Sequence, residues 1–160
     1  MSELDIDETL RDLASGRLPD WIGDHLRVYR ESGGRKGHLF DASFAGGGSA
    51  VPTLLLTTIG RRSGARHTMP LIYGEVDGAY IIIGSKGGAP TQPAWYFNLC
   101  AEPRVELQVG PEIFSANART ADGAEREQLW HYMAGVYPPF LEYQVKTTRE
   151  IPVVVLERVA

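Results

Sequence analysis

The segment TLLLTTIGRRSGARHTMPLIYGEVDGAYIIIG (residues 53–84) holds three strand-like runs separated by turn signals. The outer runs, residues 53–59 and 79–84, are apolar and β-branched, which is typical of buried strands. The middle run spans residues 66–76, where Pro70 indicates an edge strand or a bulge. Asp77-Gly78 is a two-residue hairpin signal. Because these connections are too short to hold a crossover helix, the segment predicts antiparallel strands.

The rest of the chain extends this pattern. Further strands are predicted over 104–109, 112–120 and 151–157, and helices over 4–14, 20–32, 93–102, 123–136 and 139–146. Neither a regular βαβ alternation nor a G-x-G-x-x-G motif appears, which argues against a parallel nucleotide-binding sheet. We therefore predict a mostly antiparallel β-barrel of about six strands with flanking helices. It spans residues 52–160 and follows an N-terminal helical segment and Gly-rich loop in residues 1–51.

Composition narrows the function classes. The chain has 160 residues and a net charge of −4, which disfavours nucleic-acid binding. The single cysteine, Cys100, cannot form an internal disulfide, and the histidines lack a close-spaced metal-ligand pattern, so no metal site is expected. There is no signal-peptide pattern and no apolar run of about 20 residues, so we expect a cytoplasmic protein without an integral membrane segment.

The turn Gly60–Gly64 (GRRSG) is the first candidate site. Arg61 and Arg62 place two guanidiniums on a tight turn of an acidic protein, and Arg66 and His67 follow closely. Guanidiniums suit phosphate and carboxylate, and glycines let backbone N–H groups approach an anion. From this pattern alone, an anion site and an ordinary solvated turn are equally good interpretations.

Three other segments draw attention. SKGGAP (residues 85–90) follows a buried strand and carries Lys86, although it also fits a plain connector. In PAWYFN (93–98), three successive aromatics cannot all face one core, so at least one should line a cavity or face solvent. In VYPPFLEY (136–143), aromatics recur every three residues; such stripes belong to a core more often than to a binding site.

The joint order of LLLTTIGRRSG, PLIYG, IIIGSKGGAP, PAWYFNL, AEPRVELQVG, YPPFLEYQ and KTTREIPVVVLE resembles the deazaflavin-dependent nitroreductase family. These are the coenzyme F420-dependent, quinone reductase-like proteins of actinobacteria. The resemblance covers about residues 52–158 and implies a split β-barrel of the FMN-binding type. It also implies an oxidoreductase that transfers a hydride from reduced F420 to an electron-poor quinone, enone or nitroaromatic.

The resemblance assigns roles to the matching residues. The anionic cofactor would contact Arg61, Arg62, Ser63, His67, Thr68, Met69, Pro70, Leu71, Ile83, Gly84, Ser85, Lys86, Ala94, Trp95, Tyr96 and Asn98. The acceptor would contact Ile72, Tyr137, Phe140 and Tyr143, and the proton would come from Ser85, Tyr137, Tyr143 or solvent.

The departures from the family pattern concern His67, Ile72 and Phe140. Some members carry an arginine where His67 stands, for which Arg66 is expected to compensate. Nitroimidazole-reducing members carry tyrosines at the positions of Ile72 and Phe140, so the resemblance favours a more apolar acceptor such as a quinone or an enone.

Several alternatives stay open. They are an FMN-binding oxidoreductase, a non-catalytic F420 carrier and an interaction module that docks through the 137–143 stripe. A homodimer and peripheral membrane contact are also left open.

Overall fold

The computed structural model describes residues 20–40 and 50–159. The predicted helix over 4–14 and the Gly46–Ser49 loop lie outside these residues. The strands are β1 (Leu39–Phe40), β2 (Val51–Ile59), β3 (Arg66–Ile72), β4 (Gly74–Val76), β5 (Ala79–Ile83), β6 (Arg104–Val109), β7 (Glu112–Thr120) and β8 (Val153–Arg158). The helices are α1 (Asp20–Glu31), α2 (Ala94–Ala101), α3 (Gly123–Val136) and α4 (Pro139–Val145), with a 3-10 turn at Lys86–Gly88.

Every strand pairing in the described residues is antiparallel, as predicted. The sheet order is β1-β2-β6-β7-β8-β5-β4, and β3 pairs with β2. β3 continues directly into β4, which pairs with β5 near the other end of this order. One continuous segment therefore pairs with β2 near one end of the strand order and with β5 near the other end. The sheet must curl into a half-barrel to allow both pairings. The predicted barrel with flanking helices is confirmed.

The run over 66–76 is two strands, not one. Residues Arg66–Ile72 pair with β2, whereas Gly74–Val76 pair with β5. At the corner between them, the Tyr73 N–H donates to the carbonyl of Pro52 at 3.1 Å. This change of partner and the two-residue β1 explain why the described residues hold eight strands where about six were predicted.

The turn and edge signals are confirmed. Asp77 and Gly78 have φ values of 52° and 80°, which the tight hairpin between β4 and β5 requires. Pro70 lies in β3, whose only ladder in the described residues is with β2. A residue without an N–H is tolerated in such an edge strand.

The sheet is buried on both faces where β5 and β8 pair. Ile82, Val154 and Leu156 face a core cluster inside the half-barrel, together with Leu54, Leu56, Leu107 and the ring of Trp95. Ile81, Ile83, Val153 and Val155 face a second cluster formed with α3 and α4. Burial on both faces explains why these strands are continuously apolar rather than alternating.

Helix α1 is anchored in the first of these clusters by Tyr29, which is fully buried. The Tyr29 hydroxyl donates to the carbonyls of Thr53 and Gln108, each at 3.1 Å, and accepts the Gly110 N–H at 2.8 Å. The helix ends at Glu31, and Gly33 and Gly34 follow it with φ values in the left-handed region. Across the described ranges, none of the helices has the length and apolar character needed to cross a bilayer.

Candidate active site

The Gly60–Gly64 turn forms one side of a pocket of about 290 Å³ against β3 and α2. Its lining residues are Gly60, Arg61, Arg62, Ser63, His67, Thr68, Met69, Ala94, Trp95 and Asn98. All of these except Gly60 belong to the residues predicted to contact the cofactor. Segments 33 residues apart in sequence, such as Arg61 and Ala94, thus meet at one place.

The turn is built from short hydrogen bonds. The Gly60 N–H donates to the Ala65 carbonyl at 2.7 Å, and the Gly64 N–H donates to the Gly60 carbonyl at 2.8 Å. The Ser63 hydroxyl accepts the Ala65 N–H at 3.1 Å. A Cβ on Gly60 would lie 2.7 Å from Ser63 Oγ and 2.8 Å from His67 Nε2. A side chain at position 60 would therefore have to displace the ends of the Ser63 and His67 side chains.

Asn98 fixes this turn to α2. Its side chain is 6% exposed. Asn98 Oδ1 accepts the Arg61 N–H at 3.2 Å, and Nδ2 donates to Thr58 Oγ1 at 3.2 Å. Because both ends of the amide are engaged with protein atoms, Asn98 orients the turn as well as lining the pocket.

The two arginines of the turn differ from Arg66, Arg119 and Arg158 on the strands, each of which forms an ion pair with a carboxylate. Both are exposed, and among the described residues no carboxylate forms an ion pair with either. The Arg61 guanidinium lies over the Phe97 ring, 4.9 Å from its centroid. Phe97 is 40% exposed. It provides the solvent-facing aromatic expected in the 93–98 segment, and it supports a cation through its ring face.

Arg66 does not join the pocket. Its guanidinium donates to Glu106 Oε1 at 3.0 Å, and both residues line a separate depression on β2 and β6. The Arg66 charge is thus paired with a carboxylate on β6, and its expected compensation for His67 stays a prediction.

The predicted loop after β5 has a constrained backbone. Lys86, Gly87 and Gly88 have φ values of 47°, 61° and 85°, all in the left-handed region. Lys86 Nζ donates to Thr91 Oγ1 at 3.1 Å, and Ser85 is buried. Together with Pro70, Leu71, Ile83, Gly84 and Tyr96, these two residues are absent from the lining of the 290 Å³ pocket. Their contact with a cofactor stays a prediction.

Tyr96 turns toward β7. Its hydroxyl lies 2.9 Å from Thr120 Oγ1, and burial is the main cause that raises the pKa of the phenol. Trp95, its neighbour, is 5% exposed and lines the pocket. The two rings therefore have different surroundings although they are adjacent in sequence.

The four residues predicted to bind the acceptor lie in one cluster. Tyr137, Phe140 and Tyr143 are 1%, 3% and 4% exposed, and Ile72 packs against the core cluster that contains them. The Tyr137 and Phe140 rings are 4.8 Å apart between centroids, and the hydroxyls of Tyr137 and Tyr143 are 3.2 Å apart. The aromatic stripe thus belongs to the second core cluster, and core packing was the commoner of the two outcomes considered for it. Its role toward an acceptor stays a prediction.

Sequence reasoning gave no role to two residues that shape these segments: Phe97 beside the turn, and Arg149 beside the loop after β5. The aromatic triplet contained a signal for Phe97, since one ring had to leave the core. Arg149 stands in the motif KTTREIPVVVLE but has no local pattern that would mark it. Its four acceptors become visible only in three dimensions.

Comparison with known proteins agrees with this architecture. The family model described as F420H(2)-dependent quinone reductase matches residues 21–158. An F420H(2)-dependent quinone reductase of Mycobacterium tuberculosis (strain ATCC 25618 / H37Rv) is 38% identical over 137 residues, which cover 84% of this chain and 87% of the relative.

Solved structures give the same result. One described as an F420-H2 dependent reductase is 44% identical, with a TM-score of 0.62, over 66% of this chain and 94% of that one. Another, described as a domain-swapped dimer, is 38% identical, with a TM-score of 0.65, over 86% and 98%. HutZ, a heme storage protein of Vibrio cholerae, is 15% identical with a TM-score of 0.53 over 68% of this chain and 82% of that one, and shares the fold alone. The chain belongs to the F420H(2)-dependent quinone reductase family.

Proposed function

We propose that this chain binds reduced coenzyme F420 along the Gly60–Gly64 turn and catalyses hydride transfer to an apolar, quinone-type acceptor. The observation that carries the proposal is the pair Arg61 and Arg62. Both are exposed at the pocket, and within the described ranges neither is neutralised by a carboxylate. A cofactor with a phosphate and an oligoglutamate tail supplies the missing negative charge.

The residues of the pocket fit such a cofactor. Arg61 and Arg62 offer planar sets of N–H donors, and the exposed Ser63 adds a hydroxyl beside them. In the same pocket, Trp95 and Met69 are buried apolar side chains that can form the wall for a flat ring. The pocket therefore combines exposed cationic and buried apolar side chains, which suits a molecule with an anionic tail and an aromatic head.

Reduced F420, when bound, supplies the hydride, and the protein supplies binding and orientation. We assign acceptor binding to the cluster of Ile72, Tyr137, Phe140 and Tyr143. Its apolar character favours a quinone or an enone over a nitroimidazole. The paired hydroxyls of Tyr137 and Tyr143, 3.2 Å apart, are candidate proton donors, with Ser85 and solvent as alternatives.

Replacing the two arginines one at a time tests cofactor binding. A charge-assisted hydrogen bond contributes about 1.5–3 kcal/mol, so Arg61→Ala and Arg62→Ala should each weaken F420 binding by about tenfold or more. Arg66→Ala is the matched control, because it removes the same charge from a residue that is paired with Glu106 outside the pocket. Fluorescence titration with F420 measures the dissociation constants. Equal affinity in all four proteins would contradict the proposed site.

Two further measurements separate the alternatives. Titration with FMN distinguishes an FMN enzyme, since FMN lacks the oligoglutamate tail. The oxidation of reduced F420, followed by absorbance with quinones, enones and nitroaromatics, identifies the acceptor class. Tight binding of F420 without turnover of any acceptor would favour a carrier instead of a reductase.

The assembly and location form the final part of the proposal. A homodimer is supported by the relative of known structure that is described as a domain-swapped dimer. Light scattering on the purified protein measures the mass directly. A cytoplasmic location is supported by the single exposed thiol of Cys100, which suits a reducing compartment.

A further inference from the structure

The guanidinium of Arg149 donates hydrogen bonds to four acceptors in one loop. Arg149 Nε donates to the Ala89 carbonyl at 2.8 Å, and Nη2 donates to the Ser85 carbonyl at 2.8 Å. Nη1 donates to the Gly84 carbonyl at 3.2 Å and to Gln92 Oε1 at 2.6 Å. All four acceptors lie in residues 84–92, which we call the β5–α2 loop. They are 57 to 65 residues away from Arg149 in sequence.

The fork shape of arginine explains why this residue type occupies the position. Its five N–H donors are held in one plane, so a single side chain can bind several carbonyl groups that point in different directions. Because each peptide unit is planar and trans, a carbonyl directed at Arg149 turns the following N–H away from it. The contacts with Gly84 and Ser85 therefore fix the orientation of the N–H groups of Ser85 and Lys86.

The β5–α2 loop needs such support. Lys86 is a non-glycine residue with a φ of 47°, a conformation that persists only where its surroundings enforce it. The loop also packs closely against α4. A Cβ on Gly88 would lie only 2.6 Å from the Tyr143 carbonyl oxygen. The loop is thus held by contacts with α4 and with the Arg149 guanidinium.

Arg149 is itself fixed to α4. Gln144 Nε2 donates to the Arg149 carbonyl at 2.8 Å, and Gln144 Oε1 accepts the Ile151 N–H at 3.0 Å. One hydrogen-bond network therefore runs from α4 through Arg149 to the loop predicted to contact the cofactor. Helix α4 carries Phe140 and Tyr143, which are proposed to bind the electron acceptor.

We propose that Arg149 is a positioning residue that holds the β5–α2 loop in the conformation that receives the cofactor beside the acceptor cluster. This inference rests on the proposed function for its cofactor. Its structural part, that Arg149 orders the loop, concerns the free protein. Arg149 acts through backbone carbonyls and not through contact with the reacting atoms.

The experiment compares Arg149→Gln, Arg149→Lys and the control Arg119→Gln. Arg119 binds Glu125 and Glu157 through three hydrogen bonds on the surface, away from the β5–α2 loop. Amide hydrogen exchange in the free protein should accelerate by at least ~10-fold at residues 85–88 in Arg149→Gln, and F420 affinity should fall by about tenfold. Arg149→Lys should show smaller changes of the same kind, because an ammonium cannot reach all four acceptors. Arg119→Gln should change neither quantity.

Unchanged loop exchange in both Arg149 variants would overturn the inference. If Arg149→Gln does not fold, the same comparison with Arg149→Lys decides. Failure of the proposed function has a different signature, since the wild-type protein itself would then not bind F420. Faster loop exchange together with wild-type F420 affinity would also overturn the inference, because the loop order would then have no part in cofactor binding.

Discussion

Replacing Asn98 by alanine should uncouple the arginine turn from the body of the protein. The buried amide is the link between α2 and the turn, through the Arg61 N–H and Thr58 Oγ1, each at 3.2 Å. The change removes two hydrogen bonds and leaves Thr58, which is fully buried, without its donor. At about 1 kcal/mol for each bond, plus part of a desolvation penalty, unfolding should become easier by about 2–3 kcal/mol.

The same change should weaken cofactor binding although Arg61 and Arg62 are both retained. If the hydrogen bond to the Arg61 N–H stabilises the closed turn by about 1 kcal/mol, its loss lowers the equilibrium constant for closing the turn about fivefold. The apparent affinity for F420 should then fall by up to that factor. Thermal denaturation should show a decrease of about 5–10 °C in Tm for a chain of this size.

Thr58→Val is the matched control. It removes the bond between Thr58 and Asn98 but leaves the Oδ1 contact with the Arg61 N–H in place. It should therefore cost about 1–2 kcal/mol of stability while the affinity for F420 stays within about twofold of wild type. Calorimetric or fluorescence titration of the three proteins gives the answer. Wild-type affinity in Asn98→Ala, or an equal loss of affinity in Thr58→Val, would refute the reasoning.

Two further predictions concern other parts of the molecule. Gly88→Ala should destabilise the protein by about 1–3 kcal/mol in urea unfolding, because φ is +85° and the added Cβ meets the Tyr143 carbonyl; an unchanged midpoint would contradict the close packing seen here. Burial lowers the pKa of His25, whose Nε2 lies 2.8 Å from the Gly37 carbonyl. The unfolded state then binds the proton more tightly, so stability should decline as pH falls below about 6.5. This decline should be smaller in His25→Gln than in the wild type, and it should be unchanged in the exposed control His131→Gln. Equal profiles of stability against pH in the wild type and both variants would count against the role of His25.

Several parts of the fold follow from local sequence patterns. Asp77-Gly78 predicted its hairpin because only a few residue types accept two successive positive φ values. The apolar runs 79–84 and 151–157 predicted buried strands, since a strand covered on both faces has no polar side. The corner at Tyr73 could not be predicted, because the run 66–76 is locally uniform and only the competition between β2 and β5 as partners breaks it.

The candidate site divides in the same way. The order of motifs identified the family, and it brought forward nine residues that line one pocket. It could not show which of Arg61, Arg62 and Arg66 is paired with a carboxylate, since all three are arginines within six positions of one another. Their difference depends on Glu106, a residue on β6 that lies 40 positions from Arg66 and pairs with it.

The sequence by itself determined the order of the turns and apolar runs along the chain. It also determined the family and the presence of two guanidiniums on a glycine-bounded turn. These properties depend on residue type and on neighbours a few positions apart. The tertiary structure decided which charges are neutralised, which aromatic ring of the 93–98 segment faces solvent, and which distant residue orders the β5–α2 loop. Those outcomes depend on contacts such as Asn98 with Arg61 and Arg149 with Ser85, which exist only once the sheet has curled and brought its ends together.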